Sequence, residues 1–117
     1  MIAGASATLV NRSEGLLTCA YRAGQTSLRV TLDSAPQAAF RFERAVVEAG
    51  QAHLGRARAQ LPQQVLGIGR GAAWLPAQRE LLATDDRRLV TVYVLSQPPH
   101  PAADRAVAVA AARAVLG

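Results

Sequence analysis

The chain has 117 residues and a formal net charge of +5, and this length predicts one domain with a single hydrophobic core. All 13 basic residues are arginines and alanine is the commonest residue, as is typical of GC-rich genomes. The arginines are spread from Arg12 to Arg113, which argues against nucleic-acid binding. No apolar run approaches the roughly 20 residues of a membrane span.

The first third of the chain predicts three strands joined by turns. Strands are expected at 7–10, 16–22 and 26–33. In the third of them, Leu28, Val30 and Leu32 alternate with Arg29 and Thr31. This alternation is the pattern of a strand with one buried face, paired in a hairpin with its neighbour.

A long helix is expected from about residue 35 to about residue 60. Pro36 suits its first turn and Pro62 ends it. An apolar stripe recurs every seven residues and predicts the side packed on the sheet: Phe40, Val47, Leu54 and Leu61. Phe42, Val46 and Ala57 widen this stripe. Gly50 lies near this stripe, where a missing side chain would let the helix sit close to the sheet.

The second half of the chain predicts further strands and a closing helix. Strands are expected at 65–69, 72–74, 79–84 and 88–95, and an alanine-rich helix at 103–116. The strand at 88–95 is apolar on both faces, so we expect it to be central and covered on both sides. The closing helix has Asp104 in its first turn and Arg113 in its last, which suits the helix dipole.

These elements predict a single α+β domain over residues 1–117. Its antiparallel sheet is expected to consist of two hairpin units, with the long central helix and the C-terminal helix packed on it.

Three glycines at alternate positions stand in the segment "VLGIGRGAAWLP", residues 65–76. A phosphate-binding loop needs a strand, a glycine turn and then a helix whose N-terminus holds the phosphate. Pro76 and a further strand follow here, and the chain has no lysine to complete such a loop. The glycines therefore favour a bulge or a tight passage between elements over a phosphate site.

Two short patterns resemble a known group of domains. One is a "C-x-Y" strand at Cys19 and Tyr21, and the other is a "V-x-G-I-G" segment from Val65 to Gly69 followed by Trp74. From about residue 5 onward the chain resembles small extracytoplasmic lipoprotein-type domains of unknown function from high-GC, actinobacterial-like bacteria. It lacks the second cysteine that many of them carry. The resemblance implies an α+β fold with an antiparallel sheet, and it implies no catalytic residues.

No catalytic, cofactor-binding or metal-binding residue is predicted. His53 and His100 are the two histidines, far apart in sequence, and a metal site needs several ligands at close spacing. Cys19 is expected to be a small buried hydrophobe rather than a nucleophile. Asp85 and Asp86 are expected to form a turn neutralised by the arginines that follow, rather than an acid–base pair.

Four residues are the candidate contacts for a ligand or partner: Trp74, Leu89, Tyr93 and Leu95. The leading hypothesis is a non-enzymatic binding or interaction domain of the bacterial cell envelope, with a leader outside the given sequence. Its partner would be a protein, a small apolar ligand, or a second copy bound through the closing helix and the Tyr93 side of the last strand. The alternative is a cytoplasmic dimeric adaptor or secretion-chaperone-like protein. An enzyme is the weaker third hypothesis.

Overall fold

A computed structural model describes residues 6–13, 16–23, 25–34, 38–52, 61–76, 78–85, 87–96 and 101–116. Within these ranges the chain forms seven strands and two helices. In chain order they are β1 (Ser6–Ser13), β2 (Leu16–Ala23), β3 (Thr26–Ser34), α1 (Ala38–Ala52), β4 (Gln63–Val65), β5 (Gly71–Leu75), β6 (Glu80–Thr84), β7 (Arg88–Ser96) and α2 (Pro101–Leu116). The predicted α+β class, with an antiparallel sheet and two helices, is confirmed.

The seven strands form one antiparallel sheet in the order β1-β2-β3-β7-β6-β5-β4. β3 and β7 join its two halves through a continuous register that runs from Thr26 opposite Ser96 to Ser34 opposite Arg88. On one side β2 and β1 continue the sheet, and on the other side β6, β5 and β4 do so. The sheet therefore consists of a three-stranded and a four-stranded meander instead of the two hairpin units that we predicted.

The two faces of the sheet differ because successive side chains of a strand point to opposite sides. In β7, Val90, Val92 and Val94 are fully buried and pack with buried alanines of α2. We call this side the α2 face. The opposite side is the α1 face, because α1 packs there on Leu75 and Leu82. The alternate residues of β7 lie on the α1 face: Leu89, Thr91, Tyr93 and Leu95.

α2 closes its face with small side chains. Its buried residues in the core are Ala108, Ala111 and Ala112, which allow the helix axis to approach the valines of β7 closely. The Ser96 hydroxyl, at the end of β7, donates a 2.9 Å hydrogen bond to the buried Asp104 carboxylate in the first turn of α2. This bond ties the start of the helix to the strand before it. Neither described helix has the length and apolarity needed to cross a membrane.

The buried side of α1 agrees with the predicted stripe only in part, through Phe42 and Val46. Ala49 is buried on Leu75 and Leu82, and partly buried Phe42, Ala45 and Val46 pack around this cluster. Val47, by contrast, is 57 % exposed, so its prediction as a sheet contact was wrong. The buried side is centred near Phe42 and Ala49, about 150° around the helix from Val47, and it includes two alanines, Ala45 and Ala49, that the stripe omitted.

Part of the α1 prediction lies outside the described residues. The side chains of Phe40 and Leu54, and the expected extension of the helix to about residue 60, belong to that part. Gly50 has space beside it, since the nearest atom to an added Cβ would be Pro62 Cγ at 4.0 Å. The expectation that Gly50 allows close helix–sheet packing was therefore wrong.

The glycine segment forms a tight passage between β4 and β5. Gly67 and Gly69 have φ angles of 84° and 50°, in the left-handed region that glycine adopts without strain. A Cβ at Gly69 would overlap the backbone carbonyl oxygen of Thr84. Ile68 lies between the two glycines and is buried in the core. A strand and not a helix follows, so the tight passage is confirmed, although the strand predicted at 65–69 ends at Val65.

The two glycines Gly69 and Gly50 predict opposite effects of the same substitution. Gly69→Ala should destabilise the protein by at least about 2 kcal/mol, because the left-handed backbone and the overlap with Thr84 both disfavour a side chain. Gly50→Ala should stabilise it by up to about 1 kcal/mol, because alanine favours an uncrowded helix position. Urea unfolding of both variants measures the difference. Equal stability of Gly69→Ala and the parent would contradict the structure of this passage.

Neighbouring valines of α1 provide a second test. Val46→Asp should lower the free energy of unfolding by at least about 2 kcal/mol, because it places an unpaired charge against the sheet. Val47→Asp should change it by less than about 0.5 kcal/mol, because Val47 faces solvent. Thermal and urea unfolding compare the two variants directly. A larger loss in Val47→Asp would restore the originally predicted stripe.

Candidate functional site

Trp74 lies in the core and not at a binding surface. It is 4 % exposed and packs in the cluster that α2 covers. Its cross-strand partner in β6 is Leu81, which is fully buried. The indole is therefore not accessible to a ligand, and the prediction of Trp74 as a contact residue is corrected.

The other three predicted residues share the α1 face of β7. Tyr93 is 39 % exposed, and Leu89 and Leu95 are half-buried. Because α2 covers the opposite face, the closing helix and Tyr93 cannot belong to one continuous interface. The composite dimer surface that we predicted from these two elements was therefore wrong.

α1 covers only part of its face. It packs mainly on β5, β6 and β7, and it reaches β3 through an ion pair of 2.6 Å between Arg41 and Asp33. Toward β2 and the other end of β3, the exposed residues are Arg22 and Arg29. This half of the α1 face leaves polar side chains of the sheet open to solvent.

A depression of about 320 Å³ lies in this open half. We call it the Tyr93 site, and its lining residues are Arg29, Thr31, Glu80, Thr91 and Tyr93. Its volume is at the lower end of the range of small-molecule sites. A neighbouring depression, lined by Arg22, Gln25, Ser27 and Leu95, adjoins it along β3 and β7, where Ser27 pairs with Leu95.

Three strands bring the Tyr93 site together. Tyr93 of β7 is the register partner of Arg29 in β3 and of Glu80 in β6. The Cα atoms of Arg29 and Glu80 are therefore about 10 Å apart, at two strand spacings, with Tyr93 between them. Thr31 and Thr91 form the next cross-strand pair. An arginine, an aromatic ring and a carboxylate thus stand in one row beside two hydroxyl groups.

The charges of this row are not neutralised within the described part of the chain. The exposed Arg29 and the half-buried Glu80 form no ion pair there. Burial raises the pKa of the Glu80 carboxyl above its ordinary value, because a low-polarity environment disfavours the charged form. The site thus offers hydrogen-bond donors at one end and an acceptor at the other.

Of the lining residues, only Tyr93 was identified as a candidate from sequence. Arg29 and Thr31 were recognised as the polar side of an alternating strand, and that alternation was the available signal for them. Glu80 carried no such signal, because its strand was recognised only as an apolar run. Its place beside Tyr93 depends on the pairing of β6 with β7.

The histidines and Cys19 add no second site to the described structure. His53 and His100 lie outside the described residues. Cys19 is a free, half-buried cysteine of β2, more exposed than the buried position that we predicted. Among the described residues, no group of three or more His, Cys, Asp or Glu side chains could hold a metal ion.

Asp85 forms the turn between β6 and β7, as predicted. Its Oδ1 accepts hydrogen bonds from the backbone N–H groups of Arg87 and Arg88, and its Oδ2 pairs with the Arg88 guanidinium at 2.7 Å. Slight burial would raise the pKa of this carboxyl, but these hydrogen bonds outweigh it and lower the pKa. Asp86 lies outside the described residues.

Comparison of the chain with protein families, curated proteins and solved structures finds no match. The resemblance to small extracytoplasmic domains therefore rests on the short sequence patterns alone.

Glu80 predicts a pH-dependent effect on stability. A carboxyl whose pKa is raised in the folded state stabilises the fold below its unfolded pKa, and this contribution is lost as pH rises through the folded value. Glu80→Gln should therefore exceed the parent in stability at pH 7, by less than about 1 kcal/mol because the group is only half-buried. The advantage should shrink as the pH falls through the raised pKa of folded Glu80, and it should be absent below the unfolded pKa of about 4.5.

Urea unfolding across this pH range provides the measurement, with the exposed Glu48→Gln as the matched control. An advantage of Glu80→Gln that grows toward low pH would contradict the raised pKa of Glu80.

Proposed function

We propose that this chain is a non-enzymatic binding domain of the bacterial cell envelope, and that its ligand or partner binds at the Tyr93 site. The observation that carries the proposal is the exposed Tyr93 between Arg29 and Glu80, on a half of the sheet that α1 leaves open. Exposed aromatic residues beside unsatisfied polar groups are typical of recognition surfaces.

Three other described features with candidate chemistry have structural roles. Asp85 holds a turn, Asp33 anchors α1, and the glycine segment passes beneath the end of α2. All five residues that line the Tyr93 site carry a polar group, and two of them, Arg29 and Glu80, are charged. These groups favour a ligand with both polar and apolar surface over the small apolar ligand considered from the sequence.

The envelope location is supported by the "C-x-Y" and "V-x-G-I-G" patterns of the sequence. The alternative is a cytoplasmic dimeric adaptor or secretion-chaperone-like protein. One observation favours this alternative: the outer side of α2 exposes a stripe of small residues, Ala102, Ala103, Ala106, Ala110 and Ala114, against which a second helix could pack closely. A homodimer formed in this way would leave the Tyr93 site free.

Photo-crosslinking in the native bacterium tests the proposal without knowledge of the ligand. A benzophenone side chain replaces Tyr93 in one strain and Leu66 in another. Leu66 is a matched control because it is 74 % exposed and lies outside the Tyr93 site. We expect an adduct from position 93 alone, recovered in the envelope fraction.

Adducts of equal yield from both positions, or none from either, would contradict binding at the Tyr93 site. An adduct from position 93 found only in the cytosol would support the adaptor hypothesis instead.

A further inference from the structure

The lining of the Tyr93 site limits the chemistry of its ligand. The Arg29 guanidinium only donates hydrogen bonds, the ionised Glu80 carboxylate only accepts them, and the two threonine hydroxyls do both. These groups surround an exposed aromatic ring. A ligand that fills the site must therefore accept hydrogen bonds at one end, donate them at the other, and present an apolar surface between.

We propose that the Tyr93 site binds a pyranose ring of a neutral glycan, with the C–H face of the sugar on Tyr93 and its hydroxyl groups on Arg29, Glu80 and the two threonines. This inference rests on the proposed function and specifies its ligand. A sugar hydroxyl both donates and accepts, so one ring satisfies the two opposite ends of the row. The ring with its hydroxyls fits a row in which two strand spacings separate the charged residues.

Other ligand classes fit the row less well. An anion is attracted to Arg29 but repelled by Glu80 on the other side of Tyr93, and a cation is attracted to Glu80 but repelled by Arg29. An apolar ligand would bury both charged groups without hydrogen-bond partners, at high cost. A zwitterion such as a short peptide would pair with both charged residues. It would make fewer hydrogen bonds to the two threonine hydroxyls and less contact with the face of the Tyr93 ring.

Amide NMR of the ¹⁵N-labelled protein tests the proposal. The probes are three neutral trisaccharides, built from N-acetylglucosamine, glucose or mannose, and the zwitterionic peptide triglycine. Each is titrated to about 20 mM, which fills most of a millimolar site. We expect at least one trisaccharide to shift the amides of Arg29, Thr31, Glu80, Thr91 and Tyr93.

Variants show which groups hold the sugar. Tyr93→Ala should weaken binding at least about tenfold, while Tyr93→Phe should retain it within a few-fold because the ring remains. Arg29→Ala should also weaken it, whereas Leu66→Ala and Arg87→Ala, matched exposed controls, should not. Raising salt from about 0.1 to 1 M shortens the Debye length from about 10 to about 3 Å and should leave sugar affinity nearly unchanged.

Different results would overturn the glycan ligand and the proposed binding function. If no trisaccharide shifts these amides, the glycan assignment is overturned. Shifts caused by triglycine alone, lost at high salt and in Glu80→Gln, would also overturn it and would assign a peptide ligand to a functional binding site. An absence of shifts together with an absence of crosslinks from position 93 would remove the binding function as well.

Discussion

The pairing of β3 with β7 is the interaction on which the rest of the structure depends. It is the only link within the described sheet between the N-terminal and C-terminal meanders. Its register determines which side chains share a face, and a slip by one residue would exchange the two faces of every strand beyond it. Val30 opposite Val92, and Leu28 opposite Val94, are buried pairs that oppose such a slip.

The same register places the core residues of β3 and β7 on the α2 face and their residues of the Tyr93 site on the α1 face. On the α2 face, three valines of β7 and three alanines of α2 belong to one hydrophobic core cluster. On the α1 face, the alternate positions of β3 and β7 present arginine, threonine and tyrosine. The polar residues can remain open because the opposite face supplies the larger apolar core, and that division leaves a surface free for a ligand.

Local pattern was sufficient to predict much of the fold but less of the site. Alternation predicted β3 and β7, and alanine content with end charges predicted α2. Val47 was misplaced because apolar spacing does not show how a helix is rotated against a sheet. Trp74 was misplaced because its strand is apolar on both faces. Glu80 lies near Arg29 only because β6 and β3 both pair with β7. Local sequence patterns do not predict this strand order.

The solvent accessibility of the Tyr93 ring, compared with that of the Trp74 indole, tests most directly whether the α1 face is open at β7. A soluble gadolinium chelate broadens the NMR signals of side chains that solvent can reach. The structure predicts strong broadening of the Tyr93 ring signals and sharp signals from the Trp74 indole. A Tyr93 ring as protected as Trp74 in the monomeric protein would contradict the account, because no open face would then remain at β7.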